Sequence, residues 1–203
     1  MRTQSPKIKE ISLQNINNLE DEYINYAKFE NQTISKFVRE FEGCVFNHIK
    51  FELEDAHLMF TDCIFNHCDF SNQNLGNSSF IRCEFNDCKC TGLELPESYM
   101  KDVLFKNCVL SYLNLYKTKM VYVKFEQCDL IYSSLNEIKL KSVEFEQCDL
   151  TRSEFYYTSL NNVDLTSNDI SAISVTQHDL YGVIVSELQC IELAGLFGIR
   201  VKQ

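Results

Sequence analysis

An apolar residue occupies every fifth position of this chain from Phe60 to Cys190. All 27 of these positions are apolar although apolar residues make up 45% of the chain, so the run has a chance probability on the order of 10⁻⁹. A period of five is neither the helix period of about 3.6 nor the strand period of about 2. It predicts a chain that turns a corner every five residues and points one side chain inward each time. Four such corners close a square coil of twenty residues.

The sequence also repeats at twenty residues. The segment 125–130, Phe-Glu-Gln-Cys-Asp-Leu, returns unchanged at 145–150. Stacked coils bring residues twenty apart together, so one wall of the core is predicted to be an aromatic ladder of Phe65, Phe85, Phe105, Phe125 and Phe145. No coil has a closed core of its own, and stability therefore comes from the stack of neighbouring coils. The prediction is an all-β solenoid.

The chain has 10 cysteines, and seven of them lie two residues before an inward position of this register. A second inward-leaning side chain at that place has to be small, and cysteine fits it. There is no C-x₂-C pair and no histidine pair with the spacing of a zinc finger. We therefore interpret the cysteines as buried space-filling residues, and we expect neither disulfides nor a metal site.

Charge and composition exclude several classes of function. The chain has 19 Lys and Arg against 29 Asp and Glu, a formal net charge of −10, which argues against direct binding of nucleic acid. No apolar stretch approaches the ~18 residues of a membrane span. The start, from Met1 to Lys7, lacks the apolar segment of a secretory signal, and this predicts a cytoplasmic protein.

The sequence contains none of the common catalytic motifs. Its four histidines occupy different positions within the predicted coils, and a core filled by Phe and Leu leaves no pocket for a reaction. We therefore expect no enzymatic activity, no cofactor and no small-molecule substrate.

The C-terminal end has the signals of a short helix. Ser186 and Gln189 have the spacing of a capping box, and Gly198 marks a helix end, which predicts a helix over about 187–197. Its apolar residues lie on two sides, with Cys190 and Leu193 on one of them. One side would cover the open end of the stack, and the other would pack on a second subunit. The alternative is that both sides cap a monomer. The candidate dimer interface consists of Leu188, Ile191, Leu196, Phe197, Ile199 and Val201.

The period also continues towards the N-terminus, in two shifted registers. One contains Phe29 and the other Phe46, each with apolar neighbours five residues away. We predict an N-terminal arm at 1–16, coils over 17–185 with register breaks near 35–40 and 52–59, and a capping and dimerisation module at 186–203.

The repeat resembles that of pentapeptide-repeat proteins, in which a small and a polar residue precede a central Leu or Phe, as in Cys128-Asp129-Leu130. This resemblance implies a right-handed quadrilateral β-helix with a short C-terminal capping and dimerisation helix. The segment from about Asn17 to Val201 is also similar to the quinolone-resistance (Qnr-like) group, above all in the tail 182–201 and in the segment from Glu97 to Phe105. Members of that group are taken to mimic duplex DNA, to bind DNA gyrase or topoisomerase IV, to blunt quinolone action and to dimerise through their C-terminal ends. The register from Phe60 to Val185 is unbroken, so the loops by which some members contribute to drug protection are predicted to be absent.

The resemblance thus implies a homodimeric DNA mimic whose partner is gyrase or topoisomerase IV and which modulates that enzyme. Acidic residues that crowd one predicted corner form the candidate contact surface: Glu126, Asp129, Glu144, Glu146, Asp149, Asp164 and Asp169. Asp62 and Glu97 are among the carboxylates predicted to point outward on earlier coils. The alternatives are a charged surface that serves only solubility, a β-helical scaffold for another protein partner, and an immunity factor against a different gyrase poison.

Overall fold

The computed structural model describes residues 3–35, 38–53 and 57–202. Short strands dominate the N-terminal part, four long strands form the middle, and one helix, α1, follows at the C-terminal end. The strands are β1 Ser12–Leu13, β2 Tyr23–Asn25, β3 Ala27–Glu30, β4 Thr33–Ile34, β5 Glu40–Glu42, β6 Val45–Asn47, β7 Lys50–Phe51, β8 Met59–Thr61, β9 Ile64–Asn66, β10 Ser79–Asn86, β11 Tyr99–Lys106, β12 Lys119–Glu126 and β13 Lys139–Glu146, and the helices are a 3-10 turn at Ile16–Asn18 and α1 at Glu187–Leu196.

The strands stack in parallel, and residues twenty positions apart become neighbours. Phe85 of β10 pairs with Phe105 of β11, which pairs with Phe125 of β12. Each long strand covers two faces of the coil. The other two faces are joined by single bridges, of which Asp129 to Asp149 and Ser134 to Glu154 are examples. The predicted quadrilateral β-helix with a C-terminal helix is confirmed.

Corners occur where the period predicts them. Every fifth residue from Asp62 to Asn162 has a positive φ, between 52° and 61° for the non-glycine residues. Arg82, Asp102, Tyr122 and Ser142 therefore bend the four long strands in their middle. At several other corners a backbone hydrogen bond closes the turn, as from the Leu113 N–H to the Leu110 carbonyl at 3.0 Å. This left-handed conformation is sterically unfavourable for L-residues, and the hydrogen bonds between coils offset the steric cost.

The core is a column of stacked phenylalanine rings. Phe65, Phe85, Phe105, Phe125 and Phe145 are buried, with centroids of successive rings 4.5 to 5.1 Å apart. The column continues through Phe46 and Phe29, at 4.9 and 5.4 Å. Such offset and stacked ring pairs add stabilisation beyond the burial of their area.

Nine of the ten cysteines are buried free thiols. Those in the small inward position point their Sγ atoms at carbonyl oxygens of the neighbouring coil; Cys108 Sγ, for example, lies 3.4 Å from the Phe85 oxygen. Burial raises the pKa of the Cys63 and Cys90 thiols, which keeps them protonated. The exception is Cys190. It lies on α1, as predicted, but it is exposed, so its interpretation as a buried space-filling residue is wrong.

The N-terminal coils are shorter than twenty residues. Tyr23 pairs with Glu40, 17 positions later, and Glu40 pairs with Met59, 19 positions later. The register breaks predicted near 35–40 and 52–59 include residues 36–37 and 54–56, which lie outside the described residues. The first strand pair joins Ser12 to Ala27. Ser12 lies within residues 1–16, which were predicted to form the N-terminal arm.

Helix α1 begins and ends at the signals seen in the sequence. Ser186 accepts a hydrogen bond from the Gln189 N–H, and the Gln189 side chain accepts one from the Ser186 N–H, which completes the capping box. Gly198 follows the helix with φ +73°, a conformation that glycine adopts without a steric penalty.

The phenylalanine column leads to one prediction about the free energy of unfolding. Phe125→Asp would place an unpaired carboxylate in the core, so we expect the free energy of unfolding to fall by more than about 4 kcal/mol. The matched control is Gln127→Asp, which puts the same side chain two residues later at an exposed corner. Urea unfolding followed by circular dichroism measures both variants. Equal midpoints would contradict the importance of the column.

Candidate functional surfaces

The structure brings the seven predicted acidic residues to one edge of the solenoid, which we call the acidic corner. Glu126 pairs with Glu146 across two strands, and Asp129, Asp149 and Asp169 follow one another on the next face. Glu144 and Asp164 lie one coil apart on the first of these faces, because they too are twenty residues apart. The set spans three successive coils and surrounds the corner formed by Gln127 and Gln147.

Two lysines reduce the charge of this corner. Lys106 Nζ lies 2.7 Å from Glu126, and Lys124 Nζ lies 3.1 Å from Glu126 and 2.5 Å from Glu146. The hydrogen bond from Lys106 and then that from Lys124 lower the pKa of Glu126, so this carboxylate is ionised at neutral pH. These seven carboxylates and two ammonium groups together carry a formal charge of −5.

The aspartates of the corner also have a structural task that the sequence analysis missed. Each accepts the backbone N–H of the residue two positions later, at 2.9 to 3.0 Å, and so closes the turn that follows it; the aspartates are Asp129, Asp149, Asp164 and Asp169. Asp164 also accepts the Thr166 hydroxyl at 2.6 Å. These bonds lower the pKa of Asp164 and Asp169. An Asp two residues before a turn amide is the signal that could have revealed this role.

An apolar patch covers the outer side of α1 and the tail behind it. Its members are the six residues predicted for the dimer interface, and their exposed fractions run from 42% for Ile191 and Phe197 to 75% for Leu188. We call this set the C-terminal patch. Leu193 of the same helix is 7% exposed and packs on the core. The helix thus turns one side to the stack, and the described residues leave the patch uncovered.

Gln189 anchors α1 to the stack, which the sequence analysis recognised only as half of a capping box. Its side-chain amide donates to the carbonyls of Leu165 and Asn168, both at 2.8 Å, while its oxygen accepts the Ser186 N–H at 2.8 Å. This buried glutamine therefore satisfies backbone carbonyls at the open edge of the last coils.

A second contact missed from sequence joins the N-terminal arm to an outer corner of the coils. Asp62 accepts two hydrogen bonds from the Arg82 guanidinium, at 2.6 and 2.7 Å, and one from the Lys7 N–H at 2.9 Å. Burial raises the pKa of Asp62, but Arg82 and the Lys7 N–H outweigh it, and the pKa lies below its usual value. Asp102 accepts the Gln4 N–H at 3.1 Å. Asp62 points outward as predicted, but the arm covers it, and it is only 5% exposed.

The described residues contain neither a metal-binding cluster nor a membrane-spanning helix. Nowhere in residues 3–35, 38–53 and 57–202 do three or more His, Cys, Asp or Glu side chains gather in a way that could hold a metal ion. Within the same ranges, no helix has the length and apolar character needed to cross a membrane.

The square coil, the period of five and the stacked inward residues together define a β-solenoid of five-residue repeats. The chain belongs to the pentapeptide-repeat family: the family model described as a pentapeptide repeat region matches residues 58–124 and 118–195. No curated protein sequence matches the chain significantly. Family membership identifies the chain as a repeat scaffold.

Solved structures of other pentapeptide-repeat proteins are similar to it. A trypsin-treated variant of QnrB1, a plasmid-mediated fluoroquinolone resistance protein, is 21% identical with a TM-score of 0.44, and the match covers 96% of this chain and 98% of that one. A pentapeptide repeat protein from the thylakoid lumen of Arabidopsis thaliana is 18% identical with a TM-score of 0.40, covering 47% and 63%. HetL of the cyanobacterium Nostoc sp., involved in heterocyst differentiation regulation, is 11% identical with a TM-score of 0.33, covering 81% and 90%.

The anchoring role of Gln189 is testable. Gln189→Leu removes three hydrogen bonds at a residue that is 8% exposed, and we expect a loss of about 2–3 kcal/mol in the free energy of unfolding. The same change at the exposed Gln177 is the control. Hydrogen exchange reports on α1 directly: its amides should exchange faster in the Gln189 variant alone. Equal exchange in both variants would contradict the anchor.

Proposed function

We propose that this protein is a DNA mimic that binds a type II topoisomerase, DNA gyrase or topoisomerase IV, through its acidic corner. The observation that carries the proposal is the density and order of the carboxylates there. Seven carboxylates on three coils that stack at ~4.8 Å amount to one per ~2 Å of axis, close to the ~1.7 Å per charge of duplex DNA. The similarity of the tail and of Glu97 to Phe105 to the Qnr-like group supports the same partner.

The rigidity of the solenoid supports this function. Glu126 lies on β12, which is hydrogen-bonded to both neighbouring coils, and Glu144 and Glu146 lie on β13, which is hydrogen-bonded to β12. Each aspartate of the corner closes a turn with its own oxygen, so the charges keep a fixed spacing. A preordered row of charges binds without the ordering cost of a flexible acidic tail. It also matches a basic saddle by electrostatic complementarity, which accelerates association at low salt.

The C-terminal patch supports a dimer in the proposed complex. A two-fold contact through this patch would bury the same apolar residues of both copies. The acidic corner lies on the coils next to α1, so such a dimer would place the two corners on either side of the two-fold axis. Six coils give a rod of about 30 Å, and the dimer would present about twice that length to its partner.

The experiment that tests the function is gyrase supercoiling against protein concentration, with and without a fluoroquinolone. A variant with Glu144→Gln, Asp149→Asn, Asp164→Asn and Asp169→Asn removes four charges and keeps the oxygens that close the turns. The matched control changes Glu94, Glu97, Glu137 and Glu154, which lie on other parts of the coil, to Gln. We expect the first variant to bind gyrase at least about tenfold more weakly in low salt, and the control to bind as the parent does.

The outcomes separate the possible roles. Rescue of supercoiling from the drug at low protein concentration would establish protection, and inhibition without rescue would establish a mimic without a resistance role. Equal affinity of the two variants would reject the acidic corner as the contact. A folded protein without effect on either enzyme would leave the second candidate, a scaffold for another protein. The ion pairs of Glu126 and Glu146 with lysines favour this alternative.

The dimer has its own test. We expect Leu188→Glu with Ile191→Glu to convert the protein to a monomer, because two carboxylates would enter the apolar contact. Val109→Glu places one such carboxylate at a residue that is 41% exposed on the coils and should leave the dimer intact. Sedimentation equilibrium measures all three proteins, and a parent that is monomeric at every concentration would contradict the dimer.

A further inference from the structure

An exposed stack of planar side chains lies on the corner that follows the acidic corner. Tyr112 and Tyr132 are 58% and 43% exposed, and their rings are parallel, with an interplanar angle of 1° and centroids 5.2 Å apart. The Arg152 guanidinium lies over the Tyr132 ring, 5.3 Å from its centroid, and donates a hydrogen bond to the Tyr132 hydroxyl. We call these three residues the tyrosine stack. Tyrosine and arginine are enriched among the residues that carry most of the binding energy in protein interfaces.

The tyrosine stack borders the face that carries aspartates of the acidic corner. Each of its members comes three residues after a member of the row Val109, Asp129 and Asp149, whose neighbours are bridged in parallel. The Ser111 hydroxyl, next to Tyr112, donates to Asp129 at 2.7 Å. Three residues span at most about 10 Å. A partner that covers the aspartates therefore also reaches the stack.

The Tyr112 ring has one covered face and one open face. Tyr132 covers the side towards the C-terminus. On the other side the column continues with Gly92, whose N–H donates to the Ser111 carbonyl of the next coil at 2.9 Å. Glycine has no side chain that could cover the ring, and within the described chain no other ring or cation lies on it.

A hydrogen-bond acceptor bounds the open face. The Asn72 side-chain oxygen lies above Gly92, so close that a Cβ there would be 2.7 Å from it. Asn72 is exposed, and it lies two coils from Tyr112, about 10 Å at the strand spacing. We call the space between them, above Gly92, the stacking slot. A ring face beside an oxygen acceptor suits a planar cation with N–H donors on its edge, which is a guanidinium. Arg152 occupies the equivalent place at the other end of the tyrosine stack.

We infer that the stacking slot binds an arginine side chain of the topoisomerase, and that this contact fixes where the acidic corner sits along its partner. The guanidinium lies flat on the Tyr112 ring, above Gly92, and donates to the Asn72 oxygen. The nearby carboxylates of the acidic corner favour a cation at this place. The inference rests on the proposed function and deepens it, because it names a contact that charge alone does not provide.

Such a contact is needed because the acidic corner repeats itself along the axis. A shift by one coil, about 4.8 Å, places Glu146 on the site of Glu126 and offers the partner a nearly identical row of carboxylates. The column that contains the tyrosine stack does not repeat in this way, since it runs Asn72, Gly92, Tyr112, Tyr132, Arg152 and Ala172. One arginine in the stacking slot therefore selects one register.

The first test compares hexa-arginine with hexa-lysine peptides as probes in low salt, because lysine carries the same charge without a planar group that stacks. We expect the preference of the parent for hexa-arginine to fall about threefold in Tyr112→Ala and in Gly92→Asn, as for an exposed cation–π contact. Asparagine suits this corner, since Asn72 adopts a φ of 57° there. Tyr112→Phe keeps the ring and should keep the preference. The control is Tyr157→Ala, at a corner residue that is 76% exposed. Isothermal titration calorimetry measures all five proteins.

The second test measures the binding kinetics of the same variants on DNA gyrase by surface plasmon resonance. We expect Tyr112→Ala and Gly92→Asn to dissociate about tenfold faster, because the contact is desolvated in the complex, and to associate as the parent does. The variant of the acidic corner should instead associate more slowly, since exposed charges act mainly on the association rate. Tyr157→Ala should change neither rate.

The outcomes distinguish this inference from the proposed function. If the parent binds gyrase and the Tyr112→Ala and Gly92→Asn variants dissociate as the parent does, the inference is overturned and the proposed function stands. A parent that binds neither gyrase nor topoisomerase IV overturns both. An equal preference for hexa-arginine in all five proteins, or a loss that Tyr157→Ala shares, overturns the stacking slot as a site for a guanidinium.

Discussion

The contact on which this structure depends is that between the inward side chains of successive coils. A coil of twenty residues cannot bury its own phenylalanine or leucine, so each inward side chain also needs the coils above and below it to be buried. This contact fixes the rise per coil at the spacing of hydrogen-bonded strands. The left-handed corners, which are unfavourable for Arg82 or Tyr122 alone, persist because the stacked core and the ladder hold both sides of each corner.

In the regular stack, the position of a residue within the twenty-residue repeat determines where it lies on the surface. Any two residues twenty apart lie in one column, so charge that is scattered along the chain is gathered on one edge. The aspartates of the acidic corner show how closely stability and surface chemistry are joined in such a molecule. The oxygen that closes a turn belongs to the same carboxylate that gives the corner its charge, and an amide at that position would keep the turn and lose the charge.

Much of the candidate surface followed from the period alone. The columns of Glu126 with Glu146 and of Asp129 with Asp149 are already implied by a repeat of twenty, and so is the closeness of Lys106 to Glu126, although the sequence analysis did not use it. Gln189 and Asp62 are different cases. Their partners lie in α1 and in the N-terminal arm, which do not share the repeat, and no periodic rule places these segments on the coils.

By itself the sequence determined the coil, its corners, the phenylalanine column and the grouping of the acidic residues, because each depends on a local period that is repeated many times. Only the tertiary structure decided the short coils near Tyr23 and Glu40, the burial of Asp62 under the arm and the anchoring of α1 by Gln189. These features arise from contacts between segments that break the period or lie outside it. Such contacts are governed by packing and hydrogen bonding across the whole fold, for which a repeat in the sequence carries no signal.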